Sequence, residues 1–371
     1  MKFDTNKIKD KIRSKKKPAP DLHSRGLSTG LTLLNLACSG KPDAGILPGT
    51  YNLLVGDSRA GKSFLALTCL AEASINPKYA NYRLIFDNAE GGALMDMVKF
   101  FGRDMAGRIE SPGKNGKHSN TVEEFYYHLD DAAKEKIPFI YVLDSMDALS
   151  SNEEREKFQE QKAAARKGKE TTGSYGTDKA KKNSTMLREA RNLLEATGSI
   201  LIMISQSRTN IGFGSQFNPK TRSGGLALRF FATNEIWFSI KGQIKKKVNG
   251  KDRKIGDILQ IQVKKNRQTG REPIIEVPFY PGSENGFDDL GSCVNYLVEE
   301  GHWKSDGSDN EEGKKKKSAV HAEEFGFSGS PEQIVRMVID KNLEADLREI
   351  VTEVWGEIEA QCRVERKRRY E

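Results

Sequence analysis

Tyr51-Asn-Leu-Leu-Val-Gly56-Asp57-Ser58-Arg59-Ala60-Gly61-Lys62-Ser63-Phe-Leu-Ala-Leu67 is the stretch whose reading decides the fold. Its centre fits G-x-x-x-x-G-K-[ST] without a gap. Residues 51–55 form a short, mostly apolar run ending at glycine, the pattern of a buried strand. Residues 63–73 place apolar side chains at helical spacing without glycine or proline, which predicts a helix. Strand, glycine loop and helix together make a phosphate-binding loop. Gly56 and Gly61 let the backbone turn so that successive N–H groups face phosphate oxygens, and the helix N-terminus adds its dipole. The candidate nucleotide-binding set is therefore Gly56, Asp57, Ser58, Arg59, Ala60, Gly61, Lys62 and Ser63. In this chemistry Lys62 reaches the β- and γ-phosphates, and the Ser63 hydroxyl ligates Mg²⁺.

Three further buried strands surround this one in the reading. Residues 83–87 (Arg-Leu-Ile-Phe-Asp) deliver Asp87-Asn-Ala-Glu90 at a strand's C-terminal end, where ligands sit in doubly wound sheets. A helix is expected over 93–101. Residues 137–143 run into Asp144-Ser145, a strand ending in a carboxylate able to orient the Mg²⁺ shell. Residues 199–206 end at Gln206, placed to meet a γ-phosphate or its metal. The loop after it, Ser207-Arg208-…-Phe213-…-Phe217-…-Lys220-Thr-Arg222-Ser-Gly224-Gly225, mixes cations with planar rings. That combination suits single-stranded nucleic acid, although a plain surface loop has similar composition.

The remainder is less informative. Residues 1–27 are basic and polar, with a short helix expected near 6–13. Residues 150–185 hold almost no large apolar side chain, so this stretch is expected to be mobile or ordered only by a ligand. Two strands near 235–240 and 258–264 are expected to be joined by a Lys-rich turn at 245–254. Lys264-Lys265-Asn266-Arg267 follows, then a strand at 273–280. Residues 304–329 read as a charged linker. A helical tail over 330–371 opens with Ser330-Pro331, an N-cap followed by proline at the first helical position.

Of 371 residues, 36% are hydrophobic and 30% charged, enough for a sizeable core under a highly charged surface. The net charge of +8 favours a polyanionic partner, or reflects an inert basic surface. Cys38, Cys69, Cys293 and Cys362 lack metal-site spacing, which argues against zinc or a disulfide framework and fits a reducing cytosol. The N-terminus has no apolar signal core and no run approaches a membrane span, so a soluble cytoplasmic protein is expected.

The order of these motifs resembles the RecA/UvsX family of homologous-recombination ATPases, over roughly residues 27–303. Ser28-Thr29-Gly30 is similar to the family's core opening, and Val142-Leu-Asp144-Ser145 to its Walker B strand. The resemblance implies an α/β fold: a mostly parallel twisted sheet flanked by helices, carrying a short basic arm (1–27), an ATPase core (28–303), a linker (304–329) and a helical C-terminal region (330–371). It implies ATP and Mg²⁺ as ligands, with Ser63 and Asp144 on the metal. Glu90 is the family-like catalytic carboxylate, one residue further from its aspartate than usual, with Asp87 as the other candidate. Gln206 resembles the sensor glutamine. Arg208, Phe213, Phe217, Lys220, Arg222, Gly224 and Gly225 fall in the family's second DNA loop, and the first would lie within 150–185. Lys265 and Arg267 resemble cations that reach a neighbouring subunit's ATP, although a solvated basic turn is the plainer reading. Met97 takes the place of the family's adenine-stacking aromatic. The implied partners are single-stranded DNA, then homologous duplex DNA, and further copies of the chain in a filament or ring. A hexameric motor and an ATP-gated DNA-binding accessory protein are the competing readings.

Overall fold

The computed structural model describes residues 26–167, 178–209, 220–222, 225–284, 286–305 and 319–366, with backbone alone at 115, 178, 208, 209 and 220–222. Residues 1–25 of the basic arm, with its expected helix, and Phe213, Phe217 and Gly224 lie outside the described residues. In chain order the first half contains α1 (Thr32–Ser39), β1 (Tyr51–Gly56), α2 (Lys62–Ile75), β2 (Arg83–Asp87), α3 (Met97–Arg108), β3 (Ile109–Glu110), α4 (Val122–Lys134) and β4 (Phe139–Leu143). There follow α5 (Asn152–Ala165), α6 (Asp178–Thr197), β5 (Ile200–Thr209), β6 (Lys220–Arg222) and α7 (Leu226–Phe231). The second half adds β7 (Asn234–Val248), β8 (Lys251–Asn266), β9 (Ile274–Tyr280), β10 (Gly286–Phe287) and α8 (Asp289–Glu299). It closes with β11 (Lys304–Ser305), β12 (Val320–Ala322), β13 (Phe327–Gly329), α9 (Pro331–Asp340) and α10 (Glu344–Gln361).

The main sheet runs β10-β9-β8-β7-β1-β5-β4-β2-β3, with β6 paired to β5. Neighbours from β7 to β3 are parallel, and β7 to β10 are antiparallel. The alternation of side chains explains why the central strands read as continuous apolar runs. In β5, Ile200, Ile202 and Ile204 enter one core while Leu201 and Met203 enter the other. The first core also holds α1, α2 and the C-terminal helices, through Leu33, Leu65, Ile334, Leu347 and Val351. The second is closed by α4, α6 and α7, through Phe125, Leu129, Leu187, Leu194 and Leu228. Each such buried side chain contributes about 1.5–3 kcal/mol. The expected α/β class, a mostly parallel sheet flanked by helices, is what forms.

Several boundaries differ from expectation. The helix expected at 93–101 starts only at Met97, because Asp96 caps it by accepting from the Lys99 N–H at 3.0 Å. Residues 152–165 form a helix without a single buried side chain, in a stretch expected to be mobile or ordered only by a ligand. Ser151 and Glu154 make a reciprocal capping box there, and the Glu, Lys, Gln and Ala that follow favour helix without tertiary burial. The Lys-rich turn at 245–254 is instead the continuation of β7 and β8, which turn only at Asn249-Gly250 with φ of 52° and 75°. Asn-Gly at a two-residue hairpin turn is the sequence signal for that geometry. Residues 319–329, within the stretch read as a linker, pair β12 with β11 and β13 in a small antiparallel sheet. No helix among the described residues is long and apolar enough to cross a membrane.

Candidate functional site

Parallel pairing brings the C-terminal ends of β1, β5, β4 and β2 to one edge of the sheet. Gly56 is in register with Gln206, and Asp87 with Leu143, so the phosphate loop, Gln206, Asp144 and the Asp87–Glu90 turn meet there. The loop is tightly constrained: a Cβ on Gly56 would stand 2.5 Å from the Phe238 carbonyl oxygen, and Gly61 has a φ of 77°. Arg59 also lies in the left-handed region, at 65°. Lys62 Nζ donates to the carbonyls of Gly56 (2.9 Å) and Asp57 (2.7 Å). Burial pulls the Lys62 ammonium below its ordinary pKa, and Asp144, Glu90, Asp57 and Asp147 act in the opposite direction. The Asp144 carboxyl is pushed up by burial and by Glu90, against a hydrogen bond from Ser63 and the charge of Lys62. Hydroxyl and carboxylate oxygens side by side are the hard donors that Mg²⁺ selects, so Ser63 and Asp144 fit that ion.

The two candidate carboxylates stand in opposite surroundings. Asp87 is fully buried and accepts from Ser119 N (2.9 Å), Ser119 Oγ (2.6 Å) and the Tyr141 hydroxyl (2.8 Å). Such a saturated carboxylate ties strands and loops together. Glu90 is exposed, and its oxygens accept from Gln206 Nε2 at 3.3 Å and Ser145 Oγ at 3.2 Å. Its backbone N–H donates to the Asp144 carbonyl at 2.8 Å, which fixes the turn against the Walker B strand. The Gln206 N–H donates to Asp147 Oδ2 at 2.7 Å, and the Ser207 hydroxyl bonds to Asp57 Oδ1. Ser145, Asp147 and Ser207 were given no role by the sequence reading; polar residues just beyond strand ends were the available signal.

A cleft of 1370 Å³ opens beside the phosphate loop. Arg59 to Phe64 form one side, and Phe279 to Ser283 with Phe287 the other. Met95 and Phe100 contribute to its lining, and both pack against the first core, as Met97 does. Met97 is absent from the residues that line this cleft, and Tyr280 of β9 is among them. Val335 and Ile339 of α9 complete a wall.

Lys265 and Arg267 are elsewhere. Lys265 pairs with Glu235, which is in register with Leu53, three residues upstream of Gly56. That places them about 10 Å back along the strands and about 10 Å across two of them from the phosphate loop. Lys265 Nζ donates to the carbonyls of Arg229 (2.5 Å) and Phe230 (2.8 Å), and Arg267 Nη2 to that of Phe230 (2.6 Å). Both cations therefore complement the C-terminus of α7. Beside them Leu226 and Phe230 are 84% and 65% exposed. Gly225, with a φ of 84°, starts α7 immediately after the second loop. Of that loop, the backbones of Arg208, Lys220 and Arg222 are described, in the β5–β6 pairing.

Fold and site together define an α/β protein of the P-loop nucleotide-binding class. The RecA N-terminal domain family matches residues 16–280, and the chain belongs to the RecA family. It is similar to Protein RecA of Cytophaga hutchinsonii, 28% identical over 281 residues, covering 74% of this chain and 69% of that protein. Protein RecA of Nostoc sp. is 26% identical over 324 residues, covering 85% and 81% respectively. The mitochondrial DNA repair protein recA homolog of Dictyostelium discoideum is 26% identical over 261 residues, and this chain spans 50% of its length.

Proposed function

We propose that this chain is an ATP-dependent DNA recombinase. It assembles on single-stranded DNA, hydrolyses ATP, and promotes pairing and strand exchange with homologous duplex DNA in recombination and repair. The observation that carries this reading is the continuity of β5. Its Gln206 bonds to Glu90, its next residue Ser207 bonds to the phosphate loop, and the strand then enters the cation-bearing loop that returns as β6. A change at the nucleotide is thereby transmitted to the DNA loop through one strand, and DNA affects hydrolysis by the same coupling.

In this mechanism Lys62 balances the β- and γ-phosphate charge, and Glu90 takes the proton from the attacking water. Gln206 holds Glu90 and reads the γ-phosphate. When bound by Ser63 and Asp144, Mg²⁺ offsets charge on the phosphate oxygens. Arg208, Lys220 and Arg222 contact DNA phosphates, and Phe213 and Phe217 stack on bases. Electron microscopy with single-stranded DNA and ATP tests the reading: helical filaments are expected, and none from the Arg208→Ala, Lys220→Ala, Arg222→Ala triple variant. Closed rings would favour a hexameric motor instead, and unassembled protein an accessory role.

Lys265 and Arg267 act on the ATP of the adjacent subunit in this reading. Their distance from the phosphate loop of the same chain supports it, as do exposed Leu226 and Phe230 beside them and exposed Leu94 and Val98 following Glu90. The Lys265→Ala, Arg267→Ala variant is expected to bind ATP nearly normally and to lose hydrolysis by about 10³-fold, as on loss of an arginine finger. Mixed with inactive Lys62→Ala protein, it should regain partial ATPase, because some interfaces then join an intact phosphate loop to intact cations. No recovery at any ratio, with co-assembly confirmed, would count against action in trans.

A further inference from the structure

His118 stands behind the turn that carries Glu90, on the loop between β3 and α4. Its Nδ1 accepts from the Asn88 backbone N–H at 3.1 Å and lies 3.5 Å from Asp87 Oδ1. These two neighbours make opposite demands. The amide needs a bare lone pair on Nδ1, and the carboxylate attracts a proton to the same atom. Asn88 anchors the turn on both sides: its carbonyl accepts from Gly91 N at 3.0 Å and its side chain from Ala93 N at 3.4 Å. The imidazole is partly exposed, so solvent protons reach it.

We propose that His118 is a proton-controlled positioning residue for Glu90, an inference that rests on Glu90 being the catalytic base. With Nδ1 bare, His118 holds the Asn88 N–H and so the Asn88–Glu90 turn. On protonation from solvent, the Nδ1 lone pair is consumed, the Asn88 N–H loses its acceptor, and the new N–H turns to Asp87 Oδ1. Both states of the ring keep a partner on Nδ1, the Asn88 N–H for the bare nitrogen and Asp87 Oδ1 for the protonated one. Its charged neighbour is Asp87 on β2, which ties it to Tyr141 on β4 and, through Ser119, to His128 on α4. His128 is the one that needs separating. It touches Ser119 Oγ at 2.9 Å, and through Ser119 the same Asp87.

The test is kcat of the full chain at saturating ATP and single-stranded DNA, from about pH 8.5 down to about pH 5.5. Wild type should fall about tenfold as His118 protonates, since a displaced base loses rate steeply. His118→Asn presents an amide oxygen near the place of Nδ1 and takes no proton. It should keep the high-pH rate and lose the fall. His118→Ala should be slow throughout, with ATP affinity unchanged in all variants. The proposal is overturned if His118→Asn keeps the same fall, if His128→Asn alone removes it, or if His118→Ala matches wild type at every pH. Parallel loss of ATP affinity would overturn a positioning role as well. Glu90→Gln separates the two levels: full turnover in that variant rejects Glu90 as base, whatever the His118 profiles show.

Discussion

Lys62→Ala should reduce ATP turnover by at least about 10²–10³-fold, the loss seen when one group aimed at developing charge is removed. Two effects of the substitution add. The ammonium that faces the phosphates disappears, and Asp144, Glu90, Asp57 and Asp147 lose the cation that they surround. Four acids then share the phosphate site without the cation among them, so nucleotide affinity should fall with turnover. The carbonyls of Gly56 and Asp57 also lose their donor, which calls for a melting curve beside the assay. A folded variant with wild-type ATPase would remove the nucleotide-site assignment altogether.

The second large effect distinguishes the two carboxylates. Glu90→Gln should fold normally, bind ATP and DNA, and hydrolyse about 10²–10⁴-fold more slowly, because an amide cannot take the proton from water. Asp87→Asn should behave differently. Its amide would present N–H groups to Ser119 and Tyr141, which already donate to that position. The mismatch in a fully buried site should cost about 1–3 kcal/mol of stability. Hydrolysis should then drop only with the folded fraction. The opposite pattern, a stable but inactive Asp87→Asn with an active Glu90→Gln, would exchange their roles.

How much of this was legible in the sequence follows from where each signal comes from. Residues 51–63 announce themselves because strand burial, loop conformation and phosphate chemistry all constrain the same positions. The parallel strands were legible for the same reason: with both faces covered, β1 and β4 are apolar at nearly every residue. The helix at 152–165 was missed because it buries nothing, so no apolar period marks it. The outer halves of β7 and β8 were missed likewise, with exposed lysines standing where alternation would otherwise show. The links among Glu90, Ser145, Gln206, Asp147 and Ser207 arise from strand register, which joins residues 55 to 150 positions apart. Spacing along the chain carries no trace of that.

The separation of Lys265 and Arg267 from the phosphate loop has an arithmetic consequence under the trans assignment. A protomer whose loop is completed by one neighbour and whose cations complete another builds a polar object, with two chemically different tips. At one tip a phosphate loop has no neighbour to complete it. An open chain of subunits then always has one fewer finished site than it has members, and specific activity climbs with length toward a plateau. A closed ring has no tips, so its activity per subunit reaches the full value in a single step of assembly.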